Sequence, residues 1–253
     1  MEQPAGDNEI RISVIIPVYN AGENIAKSID SVLAQSHPAH EIIVVDDASN
    51  DNTAEIIQSR YTGKTTFIQK LTNQGSAATR NKGMDAATGD YVTFLDAGDT
   101  WHRDKLMLLN TLLPSQPAIR LFYDAATNEQ IANKQLPESI VVYKLPFVKL
   151  LSGSVVAPSS LVVKNNSAFR FEVNMRHMSV FDFCLRIGYK QKLYFIKIPI
   201  TQIGKQNNKG KWKMSKGEMK AYTRLIRVNP LFIGLLPFLL LSSLVKTLLP
   251  KMQ

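Results

Sequence analysis

Four short polar clusters in the first hundred residues carry the side chains that could do chemistry. They combine carboxylates, amides and a tyrosine, and they are Tyr19-Asn20, Asp46-Asp47, Asn73-Gln74-Gly75 and Asp96-Ala97-Gly98-Asp99. Carboxylates are hard oxygen ligands for Mg²⁺ or Mn²⁺, and such a cation in turn pairs with a diphosphate. Arg80 adds a guanidinium, which pairs with phosphate or with a carboxylate. Together these groups predict a site for a nucleotide that carries a diphosphate.

Each cluster follows a run of residues that is typical of a buried strand. Short apolar runs predict strands at 12–16, 41–45, 66–71 and 91–95, and helices are predicted between them at 24–35, 53–59 and 76–87. This alternation predicts an α/β fold, with a doubly wound, mostly parallel sheet and helices on both of its faces. Because ligands of such sheets bind at the carboxyl ends of the strands, we expect the four clusters to meet at one edge.

Composition and missing motifs exclude several other classes of protein. A hydrophobic content of 45% with 13 Gly and 12 Pro excludes a disordered or collagen-like chain. The single cysteine, Cys184, excludes an intramolecular disulfide, and the four histidines are scattered, which argues against a His-rich metal site. Neither G-x-G-x-x-G after the first strand nor G-x-x-x-x-G-K-[ST] occurs, which argues against a dinucleotide fold and a P-loop.

Four stretches in unbroken order resemble the signature of glycosyltransferase family 2. They are S-V-I-I-P-V-Y-N (13–20), I-V-V-D-D-A-S-N-D-N-T (43–53), N-Q-G-S-A-A-T-R-N-K-G (73–83) and G-D-Y-V-T-F-L-D-A-G-D-T-W (89–101). The resemblance covers about residues 10–112. It implies the GT-A fold, in which a nucleotide-binding half is joined to an acceptor-binding half. It also implies transfer of a sugar from a nucleotide-sugar donor, usually with inversion.

The resemblance implies roles for the residues that match the family's nucleotide site. Pro17 and Tyr19 would line the base pocket, with Tyr19 stacked on the base. Asp47 would accept a hydrogen bond from the base, with Asp46 beside it, and an Asp–imide contact favours UDP or dTDP over GDP. Arg80 would face the nucleotide or its phosphates.

The resemblance also implies a divalent cation, Mn²⁺ or Mg²⁺, on the donor diphosphate. Asp96 stands at the first position of the family's D-x-D motif, where the usual pattern is Asp-x-Asp-Asp. The usual metal ligand at the third position is replaced by Gly98, which has no side chain to coordinate an ion. Asp99 reaches the ion if the loop shifts, which a glycine permits; otherwise the metal site is weakened or lost.

A second departure concerns the general base that deprotonates the acceptor. The segment M-R-H-M-S-V-F-D-F-C-L-R-I, from position 175, aligns with the family's helix, but the usual Glu-Asp pair falls on Ser179-Val180. Neither side chain is an effective base alone. Asp182, His177 and Glu172 are the candidate substitutes, with Asp182 ranked first and His177 second. Pairing of Asp182 with Arg186 is the structural alternative.

The excess positive charge is confined to the C-terminal fifth of the chain. Residues 1–204 contain 20 Lys/Arg and 20 Asp/Glu, whereas residues 205–253 contain 10 Lys/Arg and one acid, Glu218. A run of sixteen uncharged residues, Pro230–Val245, lies within this segment. That run is short of the ~20 apolar residues of a spanning helix. The pattern therefore favours a tail that lies on an anionic membrane surface, the alternative being a helix packed on the body or on another subunit.

These observations predict a body at 1–204, with a nucleotide-sugar-binding half (10–112) and an acceptor half (113–204), and a membrane-associating tail at 205–253. Residues 1–9 do not resemble a signal peptide, so we expect a cytoplasmic protein held on the inner face of the cell membrane. No nucleic-acid-binding module is recognisable, so nucleic acid is not expected as a partner.

The predicted function is transfer of a sugar to a saccharide or lipid-linked acceptor in cell-surface polysaccharide biosynthesis. Two alternatives remain open. One is a degenerate family member that binds a nucleotide sugar or a partner enzyme without catalysis, because of Gly98 and Ser179-Val180. The other is a basic-tailed membrane scaffold with no nucleotide site.

Overall fold

The computed structural model describes residues 9–131, 134–151, 156–166, 168–175, 178–204 and 220–227. Strands and helices alternate in the first half, and strands dominate the second. The elements are β1 (Ile12–Val18), α1 (Ile25–Leu33), β2 (Glu41–Asp46), α2 (Thr53–Tyr61), β3 (Thr66–Gln69), α3 (Ser76–Ala86), β4 (Tyr91–Phe94), β5 (Thr100–Trp101), α4 (Lys105–Ser115), β6 (Leu121–Thr127), β7 (Tyr143–Leu145), α5 (Phe147–Leu151), β8 (Leu161–Lys164), α6 (Ser179–Lys190) and β9 (Leu193–Gln202). A 3₁₀ turn at Pro158–Ser160 precedes β8.

Within the described residues, all nine strands form one sheet in the order β3-β2-β1-β4-β8-β6-β9-β5, with β7 also paired to β9. The pairs β1–β2, β1–β4, β2–β3 and β6–β9 are parallel. β8 is antiparallel to both of its neighbours, β4 and β6. Two antiparallel steps restore the direction, so β6 and β9 run the same way as β4. The carboxyl ends of β1, β2, β4, β6 and β9 therefore lie at the same edge of the sheet.

The hydrophobic core lies on both faces of this sheet. Neighbouring residues of β1 point to opposite faces, so Ile15 packs with Phe94 and Leu161 while Val14 and Ile16 pack in the other layer. Every residue of β1 is buried, which is typical of a central parallel strand covered by helices on both sides. The predicted α/β fold with a mostly parallel sheet is confirmed, and so is each strand and helix predicted for the first hundred residues.

Only a small part of the predicted tail lies among the described residues. Residues 220–227 are helical, and Tyr222 packs edge-on against Phe181 at the start of α6. Arg224 forms ion pairs with Glu172 and Asp182. This part of the tail is therefore docked on the second half of the fold. No helix among the described residues has the length and apolar character needed to cross a membrane.

Candidate functional site

A pocket of about 640 Å³ opens at the carboxyl edge of the sheet. The loops after β1, β2 and β4 and the start of α3 form its walls. Five of the residues predicted for the nucleotide site line it: Pro17, Tyr19, Asp47, Arg80 and Asp96. The expected meeting of the polar clusters at one edge is therefore present. Tyr19 is 50% exposed, so its ring is open to contact with a ligand.

Asp47 anchors the loop that leads into α3. Its carboxylate accepts hydrogen bonds from the backbone N–H groups of Gln74 (3.0 Å) and Gly75 (2.7 Å) and from Lys70 Nζ (2.5 Å). Burial alone would raise the pKa of Asp47, but these donors outweigh burial and hold the pKa below its ordinary value. Asp47 is therefore ionised at neutral pH and fixes the wall of the pocket.

Asp46 differs from its neighbour, because it does not line the pocket. It is fully buried, and its Oδ1 accepts hydrogen bonds from the backbone N–H (3.1 Å) and the hydroxyl (2.5 Å) of Ser49. Its Oδ2 accepts one from Gln69 Nε2 at 3.3 Å. These contacts close the turn after β2, which is the turn role expected of an Asp at such a position.

Arg80 and Asp96 form an ion pair within the pocket. Arg80 Nη2 lies 2.6 Å from Asp96 Oδ1, and the guanidinium lies 5.6 Å from the centre of the Phe171 ring. Arg80 is buried, and its Nε has no hydrogen-bond partner among the described residues. The Asp96 side chain is 35% exposed. The pair thus presents a cation and a carboxylate side by side, with donor capacity left on the guanidinium.

Asp99 is directed away from the pocket. Its Oδ2 accepts a hydrogen bond from the Ser159 hydroxyl (2.5 Å), and its Oδ1 accepts one from the Gly204 N–H (2.8 Å). Burial raises the pKa of Asp99, and the two hydrogen bonds oppose that effect. Gly98 has a φ of +101°, a backbone conformation that residues other than glycine rarely adopt.

The pocket offers one carboxylate to a metal ion, so it fits a cation whose other ligands come from the phosphates of a bound substrate. Among the described residues, no group of three or more His, Cys, Asp or Glu side chains could hold a metal ion. Mg²⁺ is commonly bound by one or two carboxylates together with substrate phosphates, however. Asp96 supplies one such carboxylate at the pocket, so it is the residue that would hold Mn²⁺ or Mg²⁺ on a bound diphosphate.

The predicted base Asp182 lies in the first turn of α6, outside the pocket lining. Its side chain is 1% exposed, and Oδ2 accepts a hydrogen bond from Arg186 Nε at 2.8 Å. Arg224 Nε forms an ion pair with Oδ1 at 3.3 Å, but Oδ1 has no hydrogen-bond partner among the described residues. The pairing with Arg186 that was the structural alternative is thus present. Ser179 and Val180 are also buried. His177 lies outside the described residues.

Several residues of the site were missed by the motif argument. Asn24 and Thr79 line the pocket, and Lys70 holds Asp47. Lys70 directly follows β3, so the strand-end rule that selected the other clusters could have selected it too. Ser159 and Ser160, in the 3₁₀ turn before β8, are both buried.

Comparisons with known proteins identify the family of this chain. Residues 13–119 match the model of the family described as glycosyl transferase family 2. The amylovoran biosynthesis glycosyltransferase AmsB of Erwinia amylovora is 34% identical over an alignment of 199 positions that covers 72% of this chain and 66% of AmsB. The chain belongs to glycosyl transferase family 2. The putative teichuronic acid biosynthesis glycosyltransferase TuaG of Bacillus subtilis is 44% identical over 97 residues, 38% of each chain. The chain thus spans two thirds or less of the length of these relatives.

The fold of the family is also found in a solved structure. The mannosyltransferase PcManGT of Pyrobaculum calidifontis, in complex with GDP-Man and Mn²⁺, superposes with a TM-score of 0.66 at 19% identity. The superposition covers 96% of this chain and 75% of that protein. The GT-A fold implied by the four motifs is therefore confirmed.

Proposed function

We propose that the chain transfers a sugar from a nucleotide-diphosphate sugar to an acceptor in the biosynthesis of a cell-surface polysaccharide. The observation that carries this proposal is the single pocket that unites Tyr19 and Asp47 with Arg80 and Asp96. Tyr19 and Asp47 suit a nucleobase, and Arg80 and Asp96 suit a diphosphate. Family membership and the names of AmsB and TuaG support the transfer and the polysaccharide product.

The nucleoside would bind at the Tyr19 side of the pocket. The exposed Tyr19 ring stacks on the base, and Pro17 lies beside it. Asp47 would accept a hydrogen bond from a ring N–H of the base, which uracil and thymine carry at N3 and guanine at N1, and which cytosine lacks at N3. Because the loop that Asp47 holds is already hydrogen-bonded, little ordering is needed when the base arrives.

The diphosphate would bind between Arg80 and the start of α3. The pocket includes Gly75 and Ser76, so the amino terminus of this eleven-residue helix faces the same space. Backbone N–H groups at a helix amino terminus favour phosphate, and a guanidinium adds charge-assisted hydrogen bonds. A divalent cation held by Asp96 would supply Lewis-acid stabilisation of the leaving nucleoside diphosphate. Arg80 would orient that carboxylate through their ion pair and share the developing negative charge.

We further propose inversion at the sugar and a lipid-linked acceptor on an anionic membrane. Inversion is proposed because members of the family usually transfer the sugar with inversion. The acceptor rests on the basic and apolar tail, because such a segment would hold the protein on the inner face of the membrane. Co-sedimentation of the full chain with vesicles of phosphatidylglycerol, but not of phosphatidylcholine, checks the membrane contact. Equal binding to both vesicles, or to neither, would overturn it.

A second candidate function is nucleotide-sugar binding without transfer. It is favoured by Ser179 and Val180, which replace the usual acidic pair, and by the two arginines that hold Asp182. If transfer does occur, Asp182 and His177 stay the predicted bases. An Asp182→Asn variant that keeps full turnover would exclude Asp182 as the general base. A His177→Gln variant tests His177 as the base in the same way.

Calorimetry on the full chain tests the nucleotide site. UDP, dTDP, GDP and CDP are titrated with Mn²⁺ and then with chelator. Asp96→Asn should weaken binding of the preferred nucleotide and reduce its dependence on Mn²⁺. Asp90→Asn is the matched control, because Asp90 lies directly before β4 and outside the pocket lining, and its exposed carboxylate accepts hydrogen bonds from the guanidinium and backbone N–H of Arg11. Failure of all four nucleotides to bind the wild-type protein would refute the proposed function, whereas binding without turnover on any donor sugar would select the second candidate.

A further inference from the structure

Ser159 lies directly beneath the pocket and touches both ends of the turn that follows β4. Its hydroxyl accepts a hydrogen bond from the backbone N–H of Asp96 (2.9 Å) and donates one to Asp99 Oδ2 (2.5 Å). The side chain is fully buried, so it cannot contact a donor sugar or an acceptor. One hydroxyl in the second half of the chain therefore fixes the backbone that carries Asp96.

Ser159 is itself held by polar groups from three elements. Its carbonyl oxygen accepts hydrogen bonds from Trp101 Nε1 (2.8 Å), Lys105 Nζ (3.0 Å) and Thr201 Oγ1 (3.2 Å). Lys105 also forms a fully buried ion pair with Asp124 at 2.6 Å. Among the described residues Asp124 Oδ1 has no hydrogen-bond partner, but the three donors on the Ser159 carbonyl oxygen are paired, and displacement of Ser159 would leave them without this acceptor.

The turn 96–99 has a shape that depends on two glycines. Gly98 has a φ of +101°, and a side chain at Gly204 would overlap the Gly98 carbonyl oxygen. The close approach of these two backbones brings the Gly204 N–H to within 2.8 Å of Asp99 Oδ1. Both oxygens of Asp99 are thus bound by the second half of the chain, one by Ser159 and the other by Gly204.

We propose that Ser159 and Asp99 are positioning residues, which hold Asp96 in the pocket through the turn 96–99. Asp99 acts as an anchor of this turn and is not a ligand of a cation on the donor. The inference rests on the proposed function for the role of Asp96 toward the nucleotide. The anchoring itself is a property of the protein alone and can be measured without any ligand.

Amide hydrogen exchange on the full chain, without nucleotide or metal, tests the anchoring. Ser160→Ala is the matched control, because Ser160 is buried in the same 3₁₀ turn but donates only to the Ala157 carbonyl oxygen. We expect Ser159→Ala to speed exchange at residues 96–99 by about tenfold or more and Ser160→Ala by less than about twofold. Equal exchange at residues 96–99 in the two variants would overturn the anchoring role of Ser159.

Two substitutions of Asp99 separate an anchor from a metal ligand. Asparagine can still accept from the Gly204 N–H and donate to the Ser159 hydroxyl, whereas alanine can do neither. With UDP and GDP as probes in calorimetry, we expect the Asp99→Asn protein to bind nucleotide about tenfold more tightly than Asp99→Ala. The Mn²⁺ concentration at half-saturation should be the same for Asp99→Asn as for wild type. A rise in that concentration as large as in Asp96→Asn, with no advantage of Asn over Ala, would make Asp99 a ligand.

The two experiments distinguish a failure of the proposed function from a failure of the proposed anchoring. If neither probe binds the wild-type protein, the proposed function fails, and exchange in Ser159→Ala, Asp99→Asn and Asp99→Ala still decides the anchoring. If Ser159→Ala does not fold, the Asp99 pair decides it. An Asp99→Ala protein that exchanges at residues 96–98 as slowly as the wild type would overturn the proposal even where nucleotide binding is intact.

Discussion

The buried pair of Lys105 and Asp124 allows a quantitative prediction about stability. Both side chains are fully buried, with Lys105 Nζ 2.6 Å from Asp124 Oδ2. Removing one member of a buried ion pair costs about 3–5 kcal/mol, because the other charge is left without a partner. We expect this loss in the free energy of unfolding for Lys105→Met and for Asp124→Leu. The double variant should recover about 2 kcal/mol relative to the sum of the single changes, since no charge is then stranded.

The pH dependence of the two single variants should have opposite signs. Burial raises the pKa of Asp124 and lowers that of Lys105, and in the wild type each charge opposes the effect on the other. In Lys105→Met the raised pKa of Asp124 means that stability falls as pH rises above about 4, the pKa of an unfolded Asp. In Asp124→Leu the lowered pKa of Lys105 means that stability falls as pH drops below about 10.

Urea unfolding followed by far-ultraviolet circular dichroism at pH 5 and pH 9 measures both effects. Lys105→Met should be more stable at pH 5 than at pH 9, whereas Asp124→Leu should be more stable at pH 9 than at pH 5. An exposed pair, Lys134→Met and Glu129→Leu, is the control and should change stability little. Single variants that cost less than about 1 kcal/mol, or a double variant equal to the sum, would refute the reasoning.

Three further predictions concern other parts of the molecule. Asp47→Asn should weaken nucleotide binding by about tenfold or more, because it removes charge that holds the loop before α3; since the pKa of Asp47 is lowered, wild-type binding should be lost only as the pH falls below about 4. Cys184 is buried and its pKa is raised to about 12, so a thiol reagent should modify it only in urea; rapid labelling of the folded protein would contradict this. Arg224→Met should free residues 220–227 from Glu172 and Asp182 and speed their proteolysis, whereas the exposed Arg60→Met should not.

Sequence alone determined most of the first half of the fold. Apolar runs such as 12–16 predict buried strands without knowledge of neighbours, because strands covered on both faces must be apolar throughout. The rule that ligands bind at the carboxyl ends of parallel strands then predicts that Tyr19, Asp47 and Asp96 meet at one edge. The resemblance to the family added predicted roles for these residues, and the structure shows that Asp46 closes a turn and does not line the pocket.

Tertiary structure alone decided which carboxylates face the pocket and which serve the fold. Asp96 and Asp99 are three residues apart and chemically identical, yet one lies in the pocket and the other is bound by Ser159 and Gly204. Asp182 accepts a hydrogen bond from Arg186, the pairing that the sequence indicated, and its ion pair with Arg224, 42 positions further along the sequence, is one that no local pattern indicates. The physical reason is that a carboxylate is assigned by the donors around it, and here those donors come from distant segments that only the folded chain brings together.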